Sequence, residues 1–132
     1  MKTLLLFITV LLPVFLITGC GSNYTGVDLT GKITVDGTPI ENGFVSFTPS
    51  EGNRGTGVRV PISNGNYAAK HVPVGKTRVS FTAVKKTGKK TKGLGGEDVD
   101  EQVSIIPGKY KEGMETEIIV NQQTLDFELT TK

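Results

Sequence analysis

The sequence predicts an all-β domain, a seven-stranded antiparallel β-sandwich, on three observations. Apolar and polar residues alternate with period two from Leu29 onward, the mark of half-buried strands. Turn signals separate these runs about every eight to twelve residues. Seventeen glycines and six prolines in 132 residues, with frequent threonine and valine, disfavour long helices and suit short strands joined by tight turns.

The strands follow in order. Leu29, Gly31, Ile33 and Val35 share one face of the first and Lys32, Thr34 and Asp36 the other, before a turn at Asp36-Gly37 with Pro39 behind it. Val45 and Phe47 alternate with Phe44, Ser46 and Thr48, and the strand runs out at Pro49 into the loop Ser50 to Gly55. Val58, Val60 and Ile62 form a third strand, an edge because Pro61 cannot donate to a ladder. Asn64-Gly65 is a strong hairpin signal leading into Tyr67 and Ala69. After the turn Val72-Pro73-Val74-Gly75-Lys76 comes the clearest strand, with Thr77, Val79, Phe81 and Ala83 on one face. The polar segment from Lys85 to about Gln102 breaks the pattern, and Ile105 to Tyr110 resumes it with apolar anchors. A closing pair follows: Thr116 to Val120, a turn around Asn121 to Gln123, then Leu125, Phe127 and Leu129.

The succession Gly31-Lys32-Ile33-Thr34-Val35-Asp36-Gly37-Thr38-Pro39-Ile40, Gly43-Phe44-Val45-Ser46-Phe47, Asn64-Gly65-Asn66-Tyr67 and Val72-Pro73-Val74-Gly75-Lys76 resembles the carboxypeptidase regulatory-like domain. The resemblance implies a transthyretin-like (prealbumin-like) sandwich over residues 29–132. The ending Ile106-Pro107-Gly108-Lys109-Tyr110, with Asp126-Phe127-Glu128-Leu129 after it, is similar to small lipoproteins of planctomycete-type bacteria that carry such a domain. Thr77 departs from the pattern, which places a large aromatic after Pro-x-Gly-Lys. The regulatory-like domain is an appendage of a zinc peptidase and not its catalytic part, so the resemblance implies no peptidase activity.

Ahead of the domain, Met1-Lys2-Thr3 is a short positive start and Leu4 to Ile17 an apolar run. Fourteen residues fall short of the ~20 a spanning helix needs and match a signal-peptide core. Ile17-Thr18-Gly19-Cys20 resembles the lipobox of bacterial lipoproteins, which implies cleavage between Gly19 and Cys20 and a lipid on Cys20, palmitate included. Residues 1–19 are thus expected as a signal peptide and 20–28 as a lipidated flexible tether. Lipid chains contribute about 0.8 kcal/mol per buried CH₂, and two or three hold a protein stably at a membrane. Gly21, rather than Asp, follows the cysteine, which by analogy favours an outer over an inner membrane.

Removing the leader takes Lys2 from the 15 basic residues and leaves 14 against 13 acidic ones, so net charge argues neither for nor against nucleic acid. Lys85, Lys86, Lys89, Lys90 and Lys92 lack the interleaved aromatics that stack on bases, and no nucleic-acid partner is expected. They are a candidate electrostatic contact for anionic lipid, polysaccharide or an envelope protein. The competing reading is a solvated hairpin loop whose lysine arm attracts Glu97, Asp98, Asp100 and Glu101. The acidic spacing matches no EF-hand loop. His71 is the one histidine, too few for a zinc centre or a Ser–His–Asp arrangement, and no enzyme activity, metal or cofactor is expected. The function expected is a non-catalytic structural or protein-interaction module at the cell envelope. Carbohydrate or other ligand binding is the alternative, with Tyr24, Phe44 and Tyr110 as the aromatic candidates.

Overall fold

Alternating residues from Leu29 onward place their apolar members in one core. A computed structural model describes this for residues 26–132. The leader, the Ile17–Cys20 motif and Tyr24 lie outside the described residues. Ten strands follow in chain order: β1 (Gly26–Val35), β2 (Thr38–Pro39), β3 (Asn42–Pro49), β4 (Val58–Ser63), β5 (Asn66–Pro73), β6 (Gly75–Thr82), β7 (Val84–Lys92), β8 (Asp98–Ser104), β9 (Met114–Ile118) and β10 (Phe127–Leu129). A single turn of 3-10 helix spans Gly108–Tyr110, and the domain is all-β. Eight strands form one sheet in the order β10-β1-β5-β4-β3-β6-β9, with β2 on the flank of β1; β7 and β8 pair only with each other. The sheets curve into a half-barrel.

Three expectations are corrected. The strands number ten because β2 is a two-residue rung opposite the end of β1, and because the polar segment after Lys85 is itself a hairpin. Pairing is not wholly antiparallel, since β10 runs parallel to β1 with Ile33 opposite Phe127. The Thr116–Val120 and Leu125–Leu129 segments do not pair with each other. β9 joins β6, and the chain then crosses to β1, held by Thr30 N–H on Gln123 O and Leu125 N–H on Thr30 O, both 3.0 Å. β1 begins at Gly26, three residues before Leu29.

The edge expected of the Pro61 strand survives in altered form. β4 pairs with β3 along its whole length, Phe44 opposite Pro61, but meets β5 only at Ser63↔Asn66 beside the turn. Pro61 therefore sits where one flank of the strand is unpartnered. That turn is Asn64-Gly65, both residues at positive φ (49° and 78°), as a type I′ hairpin requires.

Core side chains come from every layer of the alternation: Leu29 and Ile33, Val45 and Phe47, Tyr67 and Ala69, Val79 and Phe81, Ile118, Phe127 and Leu129 are all buried. Phe47, Tyr67, Phe81 and Phe127 form an aromatic cluster, with Phe81 edge-on to Phe127 at 5.2 Å between centroids. Tyr67 donates its hydroxyl to Leu125 O at 2.6 Å, and burial pushes that hydroxyl's pKa well up. Thr77 is fully buried; its hydroxyl donates to Gly75 O at 3.1 Å, so that group is not stranded. The C-terminus is pinned by Asp36, whose carboxylate accepts from Thr131 N–H and hydroxyl at 2.9 and 2.8 Å; those bonds lower its pKa.

Candidate functional site at the root of a charged hairpin

β7 leaves the sheet just after the buried Ala83, and β8 returns just before the buried Ile106; Ile105 N–H closes the root on Ala83 O at 3.1 Å. Every residue of β7 is exposed, so the ribbon contributes nothing to the core. Lys86 pairs opposite Gln102, and Lys90 and Lys92 opposite Asp100 and Asp98, which sets these side chains on one face. Lys86 and Lys90 both reach Asp100, at 2.7 and 2.5 Å, and Lys92 reaches Asp98 at 2.7 Å. Hydrogen bonds from Lys86 and then Lys90 hold the Asp100 carboxyl below the usual range, and the Asp100 carboxylate in turn raises Lys86. Between Lys86 and Lys90 the register shifts: Gly88 at φ 81° forms a bulge, Thr87 donates its hydroxyl to Glu101 at 2.5 Å, and Lys89 stands in the bulge. Among the described residues, Lys85 and Lys89 have no carboxylate within ion-pair distance.

Of the five lysines, then, three are turned on the hairpin's own acids and two are not. Lys85 shares its face with Val103, its opposite number. At the tip Leu94 is fully exposed between glycines, and Val84, Val99 and Val103 along the ribbon are partly so.

Beside the root lies an open cleft of about 700 Å³. Val35, Pro39 and Ile40 line it from the β1–β2 side, and Val84 and Ile105 from the hairpin side. Its polar rim is Thr38, Glu41, Asn42, Lys85, Lys86 and Gln102. Backbone bonds keep its wall in place: Gly65 N–H donates to Ile40 O at 2.7 Å and Asn64 N–H to Glu41 O at 2.9 Å. Apolar surface with polar groups beside it is the general makeup of small-ligand sites, and this cleft has five apolar and six polar residues in its lining. Sequence reasoning did not find this cleft. Its signal was the pair Val84 and Ile105, apolar residues bounding a polar segment with no strand partner evident for either.

The other candidates fall elsewhere. His71 is exposed, at φ 56°, in a bulge where Lys70 and His71 together oppose Asp28, and its backbone N–H donates to the Asp28 carboxylate at 3.0 Å. No group of three or more metal-ligating side chains is found among the described residues. Phe44 is 43% exposed, and the Arg59 guanidinium lies over its ring at 4.4 Å, covering one of the faces a sugar would stack on. Tyr110 packs against the core with its hydroxyl accepting from Thr130 N–H at 3.4 Å.

No family model matches the chain, and no curated protein does. Among solved structures, it is similar to a 9R-lipoxygenase from Cyanothece PCC8801, with 13% identity and a TM-score of 0.34 over 80% of this chain and 16% of that one. The chain thus spans about a sixth of the lipoxygenase, and a likeness of this size carries neither fold nor activity across.

Proposed function

We propose that this chain is an exported lipoprotein, cleaved between Gly19 and Cys20 and held by lipid on Cys20 to the cell envelope, at an outer rather than an inner membrane. Its β domain acts there as a non-catalytic module that contacts an envelope protein through the β7–β8 hairpin. The domain belongs, on this reading, with the transthyretin-like sandwiches; the division of the strand order at the single pair Ser63↔Asn66 into β10-β1-β5 and β4-β3-β6-β9 supports it. The observation that carries the functional reading is a ribbon exposed on all of β7, organised by its own ion pairs and useless to the core. A chain gains nothing in stability from such an element, and long segments of this kind in small domains are generally functional or disordered.

Cys20→Ser tests the anchor: lipid labelling is expected to vanish, leaving unprocessed precursor or released protein. A variant that is processed and fractionates with the membrane as before would sink the proposal. For the hairpin, Lys85→Gln with Lys89→Gln removes the two lysines free of internal carboxylates while leaving the ladder intact. Salt-sensitive capture of a partner from envelope extract is expected to weaken. The cleft favours a second reading, binding of a small ligand or sugar. Competable glycan binding that survives Lys89→Gln and is lost in Asn42→Ala, a cleft residue outside the hairpin, would put ligand recognition first.

A further inference from the structure

We infer that the end of the domain opposite the hairpin rests on the lipid surface, with Ile119 and Val120 entering its interface. The inference rests on the proposed lipidation of Cys20. Strand registers put two groups of residues at opposite ends of the domain. Gly26 pairs with Pro73, Gly75 with Ile118, and Pro49 with Thr77, so the start of β1, the β5–β6 turn and the exit of β9 share one end. β6 then runs eight residues, about 25 Å, to Thr82, beside which the hairpin begins. Five residues lie between Cys20 and Gly26, six residue steps with a reach of about 20 Å at full extension. The lipid therefore attaches at the end that carries Ile119 and Val120.

Those two residues are 58% and 56% exposed. They open a turn, a place where glycine, asparagine, aspartate and serine are usual and paired aliphatics are not. Both backbone groups of Ile119 are paired within the turn: Gln122 N–H donates to Ile119 O at 3.2 Å, and Ile119 N–H donates to Gln122 Oε1 at 3.2 Å. Asn121 takes the left-handed position at φ 71°. The two aliphatic side chains can thus leave water without carrying an unpaired Ile119 amide with them, which is the cost that bars most loops from lipid. In the ladder that leads to the turn Lys76 stands opposite Glu117, so these two charges offset each other and the contact depends on apolar insertion and not on anionic headgroups.

The test uses the mature lipidated protein in vesicles of zwitterionic lipid, with an environment-sensitive fluorophore on Val120→Cys and, separately, on Leu94→Cys at the hairpin tip. Lipidation leaves the introduced cysteine as the one free thiol. The Val120 label is expected to shift to the blue, to lose quenching by aqueous iodide and to be quenched by nitroxide on the acyl chains. The Leu94 label is expected to show none of these. Flotation with the vesicles, together with an iodide-accessible Val120 label, overturns the inference and leaves the anchor standing. Shielding from iodide without acyl-nitroxide quenching also overturns it, and assigns the turn to a protein partner or a second copy. Failure of the protein to float defeats the anchor, and this inference with it.

Discussion

At Gly31 the missing side chain is replaced by another segment's backbone. A Cβ there would run into the Leu125 carbonyl and approach the Tyr67 ring at 2.9 Å, on the line where the chain crosses from β9 to β10. Neither is the far end of a flexible side chain: one is backbone and the other a ring held in the aromatic cluster. Gly31→Ala is therefore expected to cost about 1–3 kcal/mol, read as a lower urea midpoint at unchanged slope. Gly37 is the contrast, with φ 80° and open space around it, so Gly37→Ala should cost only the conformational penalty of about 1 kcal/mol. A smaller loss at Gly31 than at Gly37 would mean that the crossing segment yields. Period-two alternation does put Gly31 on the inward face with Leu29 and Ile33. The reason for glycine is illegible from there, because Leu125 is far away in sequence and only the fold brings it over β1.

A two-stranded ribbon without a packed face is marginal in water, so the β7–β8 hairpin leans on its ladder and ion pairs. Asp100 is the hub, accepting from both Lys86 and Lys90. Because its pKa is lowered in the folded hairpin, its contribution is complete above the ordinary value of 3.8 and is lost as pH falls through the lower folded value. Amide exchange in β7 and β8 is thus expected to quicken below about pH 4 and at high salt while the core amides keep their protection. Asp100→Asn should show the faster exchange already at neutral pH and lose most of the acid dependence; unchanged exchange in that variant would mean that the pairs do not hold the ribbon. Both charge runs are plain in the sequence, as is their mutual attraction. The strands are not, since both faces are polar, Glu101 interrupts the face that Val99 and Val103 share in β8, and the Gly88 bulge breaks the alternation of β7.

For the whole molecule, the inward residues of β1, β3, β5 and β6 and the Asn64-Gly65 turn were readable, because each depends on neighbours within a few residues. Strand order was not: β9 on β6 and β10 parallel to β1 depend on contacts across much of the chain, and the cleft exists only once β2 and the hairpin root are set side by side. That division of labour predicts how the molecule responds to losing the hairpin. Replacing Lys86 to Asp100 with a short Gly-Ser turn removes no buried residue and keeps Ala83, Ile105 and Ile106, so the root bond from Ile105 to Ala83 can still form. The shorter connection lowers the entropy of closure slightly, whereas the lost strand pairing belonged to a unit that opens on its own. Global stability is therefore expected to change by about 1 kcal/mol or less, measured by urea unfolding followed through the tyrosines. Capture of the envelope partner should disappear in the same protein. A collapse of the main transition would show that the ribbon braces the sheet and is not a free-standing contact, and would transfer the functional argument from the hairpin to the cleft.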